Sequence, residues 1–297
     1  ASAEQYQTKG FAATKQDLID ISLGVIDAAN GEASASGAAS DWAMNSYFGR
    51  INLDWASKYL LEVNLRTDGS SRFAKGNRWG WFPSFSVAWR IEQEEFMQNL
   101  VNNGLSNLKL RASYGSLGNN SIGNYEAIST YAQANYILNN SVATGMAILA
   151  LANRNLTWES TYVTNVGVDF GFIGGKLNGT LEYFHKKTKD ILINLPAPDV
   201  HGLATIPTQN SAQVSNKGVE FSIGWNDKIS DFSYFINGNF TYVKNNVDKY
   251  KGKGVDGRTI DGTTLIWEGH PINSHYLLVV DRIIQTDEDM QIVQNMI

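Results

Sequence analysis

The sequence predicts an all-β fold, specifically a segment of an antiparallel transmembrane β-barrel. Three observations carry this prediction: the strand-like runs are unusually long, their side chains alternate between apolar and polar, and the links between them alternate between short and long. Strands of soluble sheets usually stop at about five or six residues, whereas a tilted strand that crosses a bilayer needs about nine to eleven.

The predicted strands reach the length that a membrane crossing requires. Weaker strand candidates lie around Tyr131 and Tyr276. The strong candidates are Asn45–Asp54, Lys58–Arg66, Trp79–Ile91, Leu105–Tyr114, Trp158–Phe172, Leu177–Lys187, Val214–Trp225 and Phe232–Val243.

The links between these strands differ in length on the two sides. The short ones are Ala56–Ser57, Gly174–Gly175 and Asn226–Asp231, and a helical turn is predicted at Glu94–Leu100 on the same side. The long ones are Thr67–Arg78, with a turn predicted at Asp68–Ser71, and Gly115–Thr157, Thr188–Gln213 and Lys244–Ile272. Outer-membrane barrels have short periplasmic turns and long extracellular loops, which is the pattern seen here.

Side chains alternate within the strands, and alternation places successive residues on opposite faces of a sheet. One face then suits hydrocarbon and the other suits water. Alternation alone fits a large soluble sandwich or solenoid as well, so strand length and the unequal links decide for the barrel. The clearest case sets Val219, Phe221, Ile223 and Trp225 against Glu220, Ser222 and Gly224.

Composition narrows the function classes. The chain is 43% apolar and 18% charged, with 27 Gly, which indicates an ordered, turn-rich β protein. Its net charge of −5 and the absence of a basic stripe argue against a nucleic-acid partner. The chain has no Cys, so disulfides and thiolate ligands are excluded. The longest nearly apolar run, Val142–Leu151, is far shorter than the roughly twenty residues of a spanning helix.

The sequence contains no motif for catalysis, a cofactor or a metal. Gly252–Gly257 matches G-x-G-x-x-G, but it lies in a polar loop instead of between a strand and a helix. Asp256, Asp261 and the run 287–289 offer carboxylates without the spacing of a calcium loop. We therefore predict a protein that is not an enzyme and needs no cofactor or metal.

One predicted strand is rich in aromatic residues. An amphipathic ring can lie at the lipid headgroup level, so we interpret these side chains as wall packing or an aromatic girdle. Pro83 lacks a backbone donor, which predicts a bulge or local kink near the loop end of the strand. The aromatic residues are Trp79, Trp81, Phe82, Phe85 and Trp89.

Two adjoining segments carry a specific resemblance to a known family. Residues 59–73 read YLLEVNLRTDGSSRF, and residues 78–91 read RWGWFPSFSVAWRI. With further segments in the same order, they resemble the SusC/RagA-like TonB-dependent transporters of Bacteroidetes outer membranes, over about Tyr47 to Gln285. The further segments are Leu108–Gly115, Gly118–Asn119, Asn155–Glu159, Thr164–Gly171, Lys186–Leu192, Asn216–Phe221 and Glu268–Ile272.

The resemblance implies active import of a nutrient too large for porins, most often a glycan fragment and in some members a peptide. In that family a plug domain fills a 22-stranded barrel. A SusD-like surface lipoprotein lids the outer mouth, and TonB pulls on the plug from the periplasm. Residues 1–297 would then form one partial barrel domain in contact with outer-membrane lipid, without the plug domain and the final strands.

Candidate ligand-binding residues come from the first long loop, because it is predicted to face outward. Tyr125, Tyr131 and Tyr136 offer flat aromatic faces, and Asn119 and Asn124 offer amides that can bond hydroxyl groups. A second function class stays open at this point, a soluble or surface-exposed β-rich carbohydrate-binding or adhesin protein. The two classes differ in whether the apolar strand face meets lipid or a closed core.

Overall fold

A computed structural model describes residues 1–194, 207–251 and 257–280. Most of the Gly252–Gly257 match and the acidic run 287–289 lie outside the described residues. None of the helices in the described ranges combines the length and the apolar character needed to span a bilayer.

Strands make up most of the described chain. Three short 3-10 helices occupy Ile26–Ala28, Ile91–Gln93 and Glu95–Met97, and one α-helix, α1, occupies Gln98–Asn102. The strands are β1 (Ser2–Lys15), β2 (Ala33–Trp55), β3 (Tyr59–Ser70), β4 (Trp79–Arg90), β5 (Leu105–Asn119), β6 (Thr130–Leu138), β7 (Ser141–Ala150), β8 (Glu159–Phe172), β9 (Leu177–Ile193), β10 (Gln209–Ile229), β11 (Phe232–Tyr250), β12 (Thr259–Asp261), β13 (Thr264–Ile266) and β14 (Ser274–His275).

Nine of these strands form one antiparallel sheet in the order β1-β2-β3-β4-β5-β8-β9-β10-β11. Strands β6 and β7 form a separate hairpin, and β12 to β14 form a small sheet of three strands. Neighbours in the large sheet are also neighbours in sequence, apart from the inserted hairpin. The predicted antiparallel barrel segment is confirmed, and within the described residues the sheet is an open wall.

All the strong strand predictions are confirmed, but the strands run further than predicted. Strand β2 begins at Ala33 and not near Asn45, and its outer part pairs with β1, which was not predicted. The segment Asp68–Ser70 belongs to β3, so the turn predicted at Asp68–Ser71 is wrong in its first three residues. Residues 226–229 likewise extend β10 instead of forming a turn. Strand pairing therefore continues beyond the predicted strand ends on both the long-loop side and the short-turn side, which shortens the links there.

The weaker candidates also have counterparts in the structure. Tyr131 lies in β6, whose partner β7 was not predicted, and Tyr276 directly follows the two-residue strand β14. The helical turn predicted at Glu94–Leu100 is confirmed as a 3-10 helix that leads into α1.

One face of the large sheet is apolar. Residues directly opposite each other on paired strands share a face, so the register assigns side chains to rows across the wall. One row consists of Leu53, Leu61, Val87, Ala112, Val166, Tyr183, Val219 and Tyr242. The next row consists of Trp55, Tyr59, Trp89, Leu110, Val168, Leu181, Phe221 and Phe240.

The opposite face is polar and carries paired charges. Asp169 lies 2.7 Å from Lys109 Nζ and 3.1 Å from Arg111 Nε, and Arg111 Nη1 lies 2.5 Å from Glu182. Placing an Arg or Lys side chain on the lipid side would cost about 2–4 kcal/mol at the bilayer midplane. This network therefore marks the face that lines the barrel lumen.

Aromatic side chains border the apolar band at both ends. Tyr47 and Trp79 stack at 6.0 Å near the long-loop rim, and Tyr59 and Trp89 stack at 6.3 Å near the short-turn rim. The aromatic girdle predicted for β4 fits this arrangement except for Phe82. Phe82 is buried and lies on the lumen side. It has an even number in β4, whereas the other four aromatic residues have odd numbers, and alternate residues of a strand point to opposite faces.

Pro83 does not introduce the predicted bulge. The β3–β4 register runs without a shift through Leu65 opposite Pro83. Instead, the pairing of β4 with β5 ends beside it, at Ser84 opposite Gly115. The missing N–H of Pro83 is accommodated where the ladder stops.

The carboxylate of Glu94 links several elements at the short-turn rim. Glu94 accepts hydrogen bonds from Lys58 Nζ at 2.8 Å, Tyr59 Oη at 2.8 Å and Trp89 Nε1 at 3.1 Å. The hydrogen bond from Lys58, supported by those from Tyr59 and Trp89, lowers the pKa of Glu94 to about 2. Glu94 thereby connects the β2–β3 turn, the end of β4 and the helical turn.

Replacing Glu94→Gln should lower the thermal unfolding midpoint of the full-length receptor at neutral pH, because Lys58 loses its ionic partner. The folded-state pKa lies below the usual value of 4.5, so the stabilisation is complete above about pH 4.5 and is lost as pH falls towards 2. Unfolding in detergent, followed by circular dichroism for both proteins across this range, measures it. A difference between them that does not shrink on acidification would contradict the assignment.

Candidate ligand-binding site at the outer rim

A small aromatic core anchors the loops of the long-loop rim. Phe73 and Leu156 are fully buried, and the Trp158 ring lies 5.2 Å from the Phe73 ring and 5.4 Å from the Phe82 ring. Trp158 Nε1 donates a hydrogen bond to the backbone oxygen of Arg78 at 2.9 Å. This core, completed by Ile122, fixes three loops to the ends of β4 and β8.

Gly118 is required by a close approach inside this core. A Cβ atom at this position would lie 2.0 Å from Cζ of Phe82. The ring of Phe82 therefore covers the β5 backbone in the region where β4 no longer pairs with β5. The Phe82 ring thereby fills the space next to Gly118 where β4 and β5 are no longer paired.

A cavity of about 570 Å³ lies beside the core. It is lined by residues of the β3–β4 loop, by residues 124–128 of the next outer loop, and by Asp41 and Arg154. Four of the lining side chains are basic and one is acidic, which makes the cavity rich in hydrogen-bond donors. The basic residues are Arg72, Lys75, Arg78 and Arg154.

Arg72 is the most firmly positioned of these donors. Its Nε donates to Asn124 Oδ1 at 3.0 Å, and its Nη1 donates to the backbone oxygen of Asn120 at 3.1 Å. Its guanidinium group lies 4.9 Å from the centre of the Trp42 ring. These contacts hold the guanidinium plane in place.

Two of the predicted residues, Asn124 and Tyr125, line this cavity. Asn124 Nδ2 donates to Ser40 Oγ at 2.6 Å. The Tyr125 hydroxyl donates to the Asp41 carboxylate and accepts from the Asp41 backbone N–H at 2.9 Å. Tyr125 has a φ of 68°, a strained backbone conformation that its hydroxyl contacts help to hold. Both residues therefore tie the loop to β2 as well as facing the cavity.

The other three predicted residues lie elsewhere. Asn119 ends β5, where its side chain donates to Glu159 Oε1 at 3.2 Å. Tyr131 and Tyr136 project from the β6–β7 hairpin and are 62% and 68% exposed. They are an odd number of positions apart on β6, so they point to opposite faces of the hairpin. The structure does not bring the five residues into one site.

Sequence reasoning missed the basic residues of the cavity and Asp41. Arg72 and Asn124 are 52 positions apart, and only the folded wall brings their loops together. The one available signal was the position of Arg72, Lys75 and Arg78 in a predicted outer loop. In the described residues, no three His, Asp or Glu side chains are grouped so that they could hold a metal ion.

Comparison with known proteins identifies a consistent set of relatives. The model of the family described as TonB dependent receptor-like, beta-barrel, matches residues 4–271. The TonB-dependent receptor SusC of Bacteroides thetaiotaomicron is 37% identical over 216 residues, which are 70% of this chain and 21% of SusC. A TonB-dependent receptor of Formosa agariphila is 36% identical over 252 residues, which are 84% of this chain and 23% of that receptor.

A solved structure agrees with the sequence relatives. The RagAB peptide importer in its closed-closed state superimposes with a TM-score of 0.78 and 26% identity, covering 92% of this chain and 30% of that one. The chain thus spans between a fifth and a quarter of the length of the curated relatives named above.

Gly118→Ala should destabilise the outer rim, because the added methyl group would overlap the Phe82 ring. Overpacking of this kind costs about 1–3 kcal/mol. Gly49→Ala is a matched control, since Gly49 is also a strand glycine and a Cβ there meets nothing within 4 Å. Guanidinium unfolding of the refolded full-length receptor compares them, and equal stability losses in both variants would contradict the prediction.

Proposed function

This chain belongs to the TonB-dependent receptor family, and we propose that the protein of which it forms part imports a large nutrient across the outer membrane by TonB-dependent active transport. The observation that carries the proposal is the two-sided wall, apolar on one face and polar on the other, in a chain whose residues 4–271 match the family barrel. In this proposal, residues 1–297 are one partial barrel domain and contribute no catalytic step.

The proposed assembly has a plug domain and final strands beyond this chain. TonB acts on the plug from the periplasm, and a SusD-like lipoprotein covers the outer mouth. The nutrient is an oligosaccharide or a peptide. The resemblance of the sequence to SusC/RagA-like transporters and the fold of the RagAB peptide importer support this arrangement.

The alternative of a soluble or surface-exposed carbohydrate-binding or adhesin protein has less support. A soluble sheet of this size would cover its apolar face with a second layer. In the described residues, the lipid-side rows remain exposed across the wall, including Leu53, Val87 and Val166. Hydrocarbon is the environment that suits such a surface.

Detergent extraction of the native protein from outer membranes tests the transport proposal. The expected result is a much longer chain, identified by mass spectrometry, that co-purifies with a lipoprotein and migrates faster on a gel when unheated. Uptake of its nutrient should stop when TonB is removed. A soluble chain of about this length without a membrane partner would refute the proposal.

The outer-rim cavity is the proposed ligand-binding site, with Asn124 and Tyr125 at its wall and Arg72 as the main donor. Tyr131 and Tyr136 are proposed to touch the ligand from the β6–β7 hairpin, and Asn119 is proposed as a contact at the end of β5. The supporting observation is that these groups all lie at the long-loop end of the wall, although only Asn124, Tyr125 and Arg72 line the cavity itself.

Removing the hairpin residues 130–150 and closing the gap with a short Gly-Ser linker should weaken ligand binding while the barrel stays folded. The hairpin forms its own two-stranded sheet, whereas a deletion of the whole predicted loop 115–157 would also remove the core residues Ile122 and Leu156.

The substitution Arg72→Lys tests the cavity separately. It keeps the positive charge but loses the planar guanidinium group, so it should reduce ligand affinity about tenfold. Calorimetric titration measures both, and unchanged affinity in both variants would remove the proposed site.

A further inference from the structure

A row of basic side chains crosses the lipid-facing side of the wall at its long-loop end. Lys217 on β10 lies directly opposite His185 on β9 and directly opposite Lys244 on β11. Residues two positions apart on a strand share a face. Two positions towards the short-turn end, the same three strands carry the apolar row of Tyr183, Val219 and Tyr242.

The length of the apolar run below Lys244 indicates the depth of this basic row. On β11 the lipid-facing run from Tyr234 to Tyr242 covers nine residues, and a tilted strand needs about nine to eleven to cross the hydrocarbon. Lys244 is the next residue on that face, so it lies at the level of the lipid headgroups. The cost of a lysine on the lipid side falls close to zero at this level. Since long loops face outward in outer-membrane barrels, these headgroups belong to the outer leaflet.

Two further lysines extend the row along β9. Lys187 Nζ lies 3.8 Å from the carboxylate of Asp248, which also accepts hydrogen bonds from three polar side chains of β10 and β11. Lys189 Nζ lies 5.0 Å from the centre of the Tyr162 ring. The basic patch is defined by His185, Lys187, Lys189, Lys217 and Lys244.

The basic patch carries more positive charge than the surrounding chain neutralises. Lys217 and Lys244 are exposed, and no ion pair within the described ranges involves either of them. Like charges directly opposite each other on paired strands are destabilising. An anion bound between the two ammonium groups would remove this repulsion, and phosphate is an anion that lysine binds well.

The side of the wall that carries the patch faces away from the barrel lumen. Strand β9 lies between β8 and β10, and β10 lies between β9 and β11, so His185 and Lys217 have neighbouring strands on both sides. A plug domain would fill the lumen, on the opposite face. A second copy of the chain presenting the same patch in a two-fold contact would set lysines against lysines. These constraints favour an anionic lipid as the partner.

We propose that the basic patch binds the phosphate group of a glycolipid of the outer leaflet, whose acyl chains lie on the apolar rows below. Lys217 and Lys244 hold the phosphate, and His185 donates a hydrogen bond to it. Charge at the headgroup level directly above an apolar surface matches the two parts of such a molecule. The inference requires the outer-membrane location of the family and is independent of what the protein imports.

The test titrates the full-length receptor in detergent with fluorescent diphosphoryl lipid A. The double variant Lys217→Gln with Lys244→Gln should bind this lipid about thirtyfold more weakly, because each lysine near an anionic lipid surface contributes about fivefold. Lipid A without its phosphate groups should bind the wild type and the double variant equally weakly.

The matched control is the double variant Lys186→Gln with Lys228→Gln, which removes the same charge outside the patch. Lys186 lies on the opposite face of β9 at the level of the basic row, and Lys228 lies at the short-turn end of β10. Its affinity for diphosphoryl lipid A should equal that of the wild type. A loss of affinity as large as that of the patch variant would reduce the effect to net charge and overturn the site.

Further outcomes decide the identity of the partner. Equal lipid A affinity in the wild type and the patch variant overturns the proposal, and so does phosphatidylglycerol that binds as tightly as lipid A. Complete displacement of the lipid by an excess of inorganic phosphate would assign the patch to a free anion instead.

A stability measurement separates lipid binding from a structural role of the lysines. Without added lipid, the patch variant should unfold at a temperature no lower than the wild type, because it lacks the like-charge repulsion. Added diphosphoryl lipid A should raise the unfolding temperature of the wild type more than that of the variant. A lower unfolding temperature of the lipid-free variant would overturn the assignment. None of these results bears on import, which is tested by the loss of uptake without TonB.

Discussion

The structure depends on one constraint: no backbone N–H or C=O group can remain unpaired in hydrocarbon. Each unsatisfied group would cost several kcal/mol, so a membrane-crossing sheet must keep its ladders continuous. The long uninterrupted registers of β8 with β9 and of β2 with β3 meet that demand. Because the ladder fixes every side chain to one face, it also separates the apolar rows from the Lys109, Arg111, Asp169 and Glu182 network. The lipid face and the lumen face are thus two consequences of the same pairing.

The candidate site lies where this constraint relaxes. Above Ser84, β4 and β5 no longer pair, and Ser116 Oγ donates to the backbone oxygen of Pro83 at 3.2 Å as one replacement contact. The ring of Phe82 then covers Gly118, and Trp158 closes the core above. The outer-rim cavity lies beside the core that forms at this departure from regular pairing. Such an opening is possible at the outer rim, because water and loop groups are available there to satisfy the backbone.

The sequence was sufficient to predict the strands of the wall but not the arrangement of the candidate site. Strands such as Val214–Trp225 were predictable because apolar and polar residues alternate with strong contrast. The outer half of β2 was not predictable, because Ala33–Ala39 consists of small residues, so the two faces of this part of the strand do not differ clearly in polarity. The Arg72–Asn124 and Tyr125–Asp41 contacts join distant positions whose closeness depends on the curvature and register of the whole wall. Of the residues predicted to bind ligand, Asn124 and Tyr125 line the cavity, whereas Tyr131 and Tyr136 lie on β6 outside its lining.

Asn120 connects the outer-rim cavity to the end of β3. Its backbone oxygen accepts from Arg72, which lines the outer-rim cavity, and its side chain donates to Ser70 Oγ at 3.0 Å. A shift of Arg72 would therefore act directly on a residue that is hydrogen-bonded to the end of β3, so the outer-rim cavity and the strand ladder are mechanically linked.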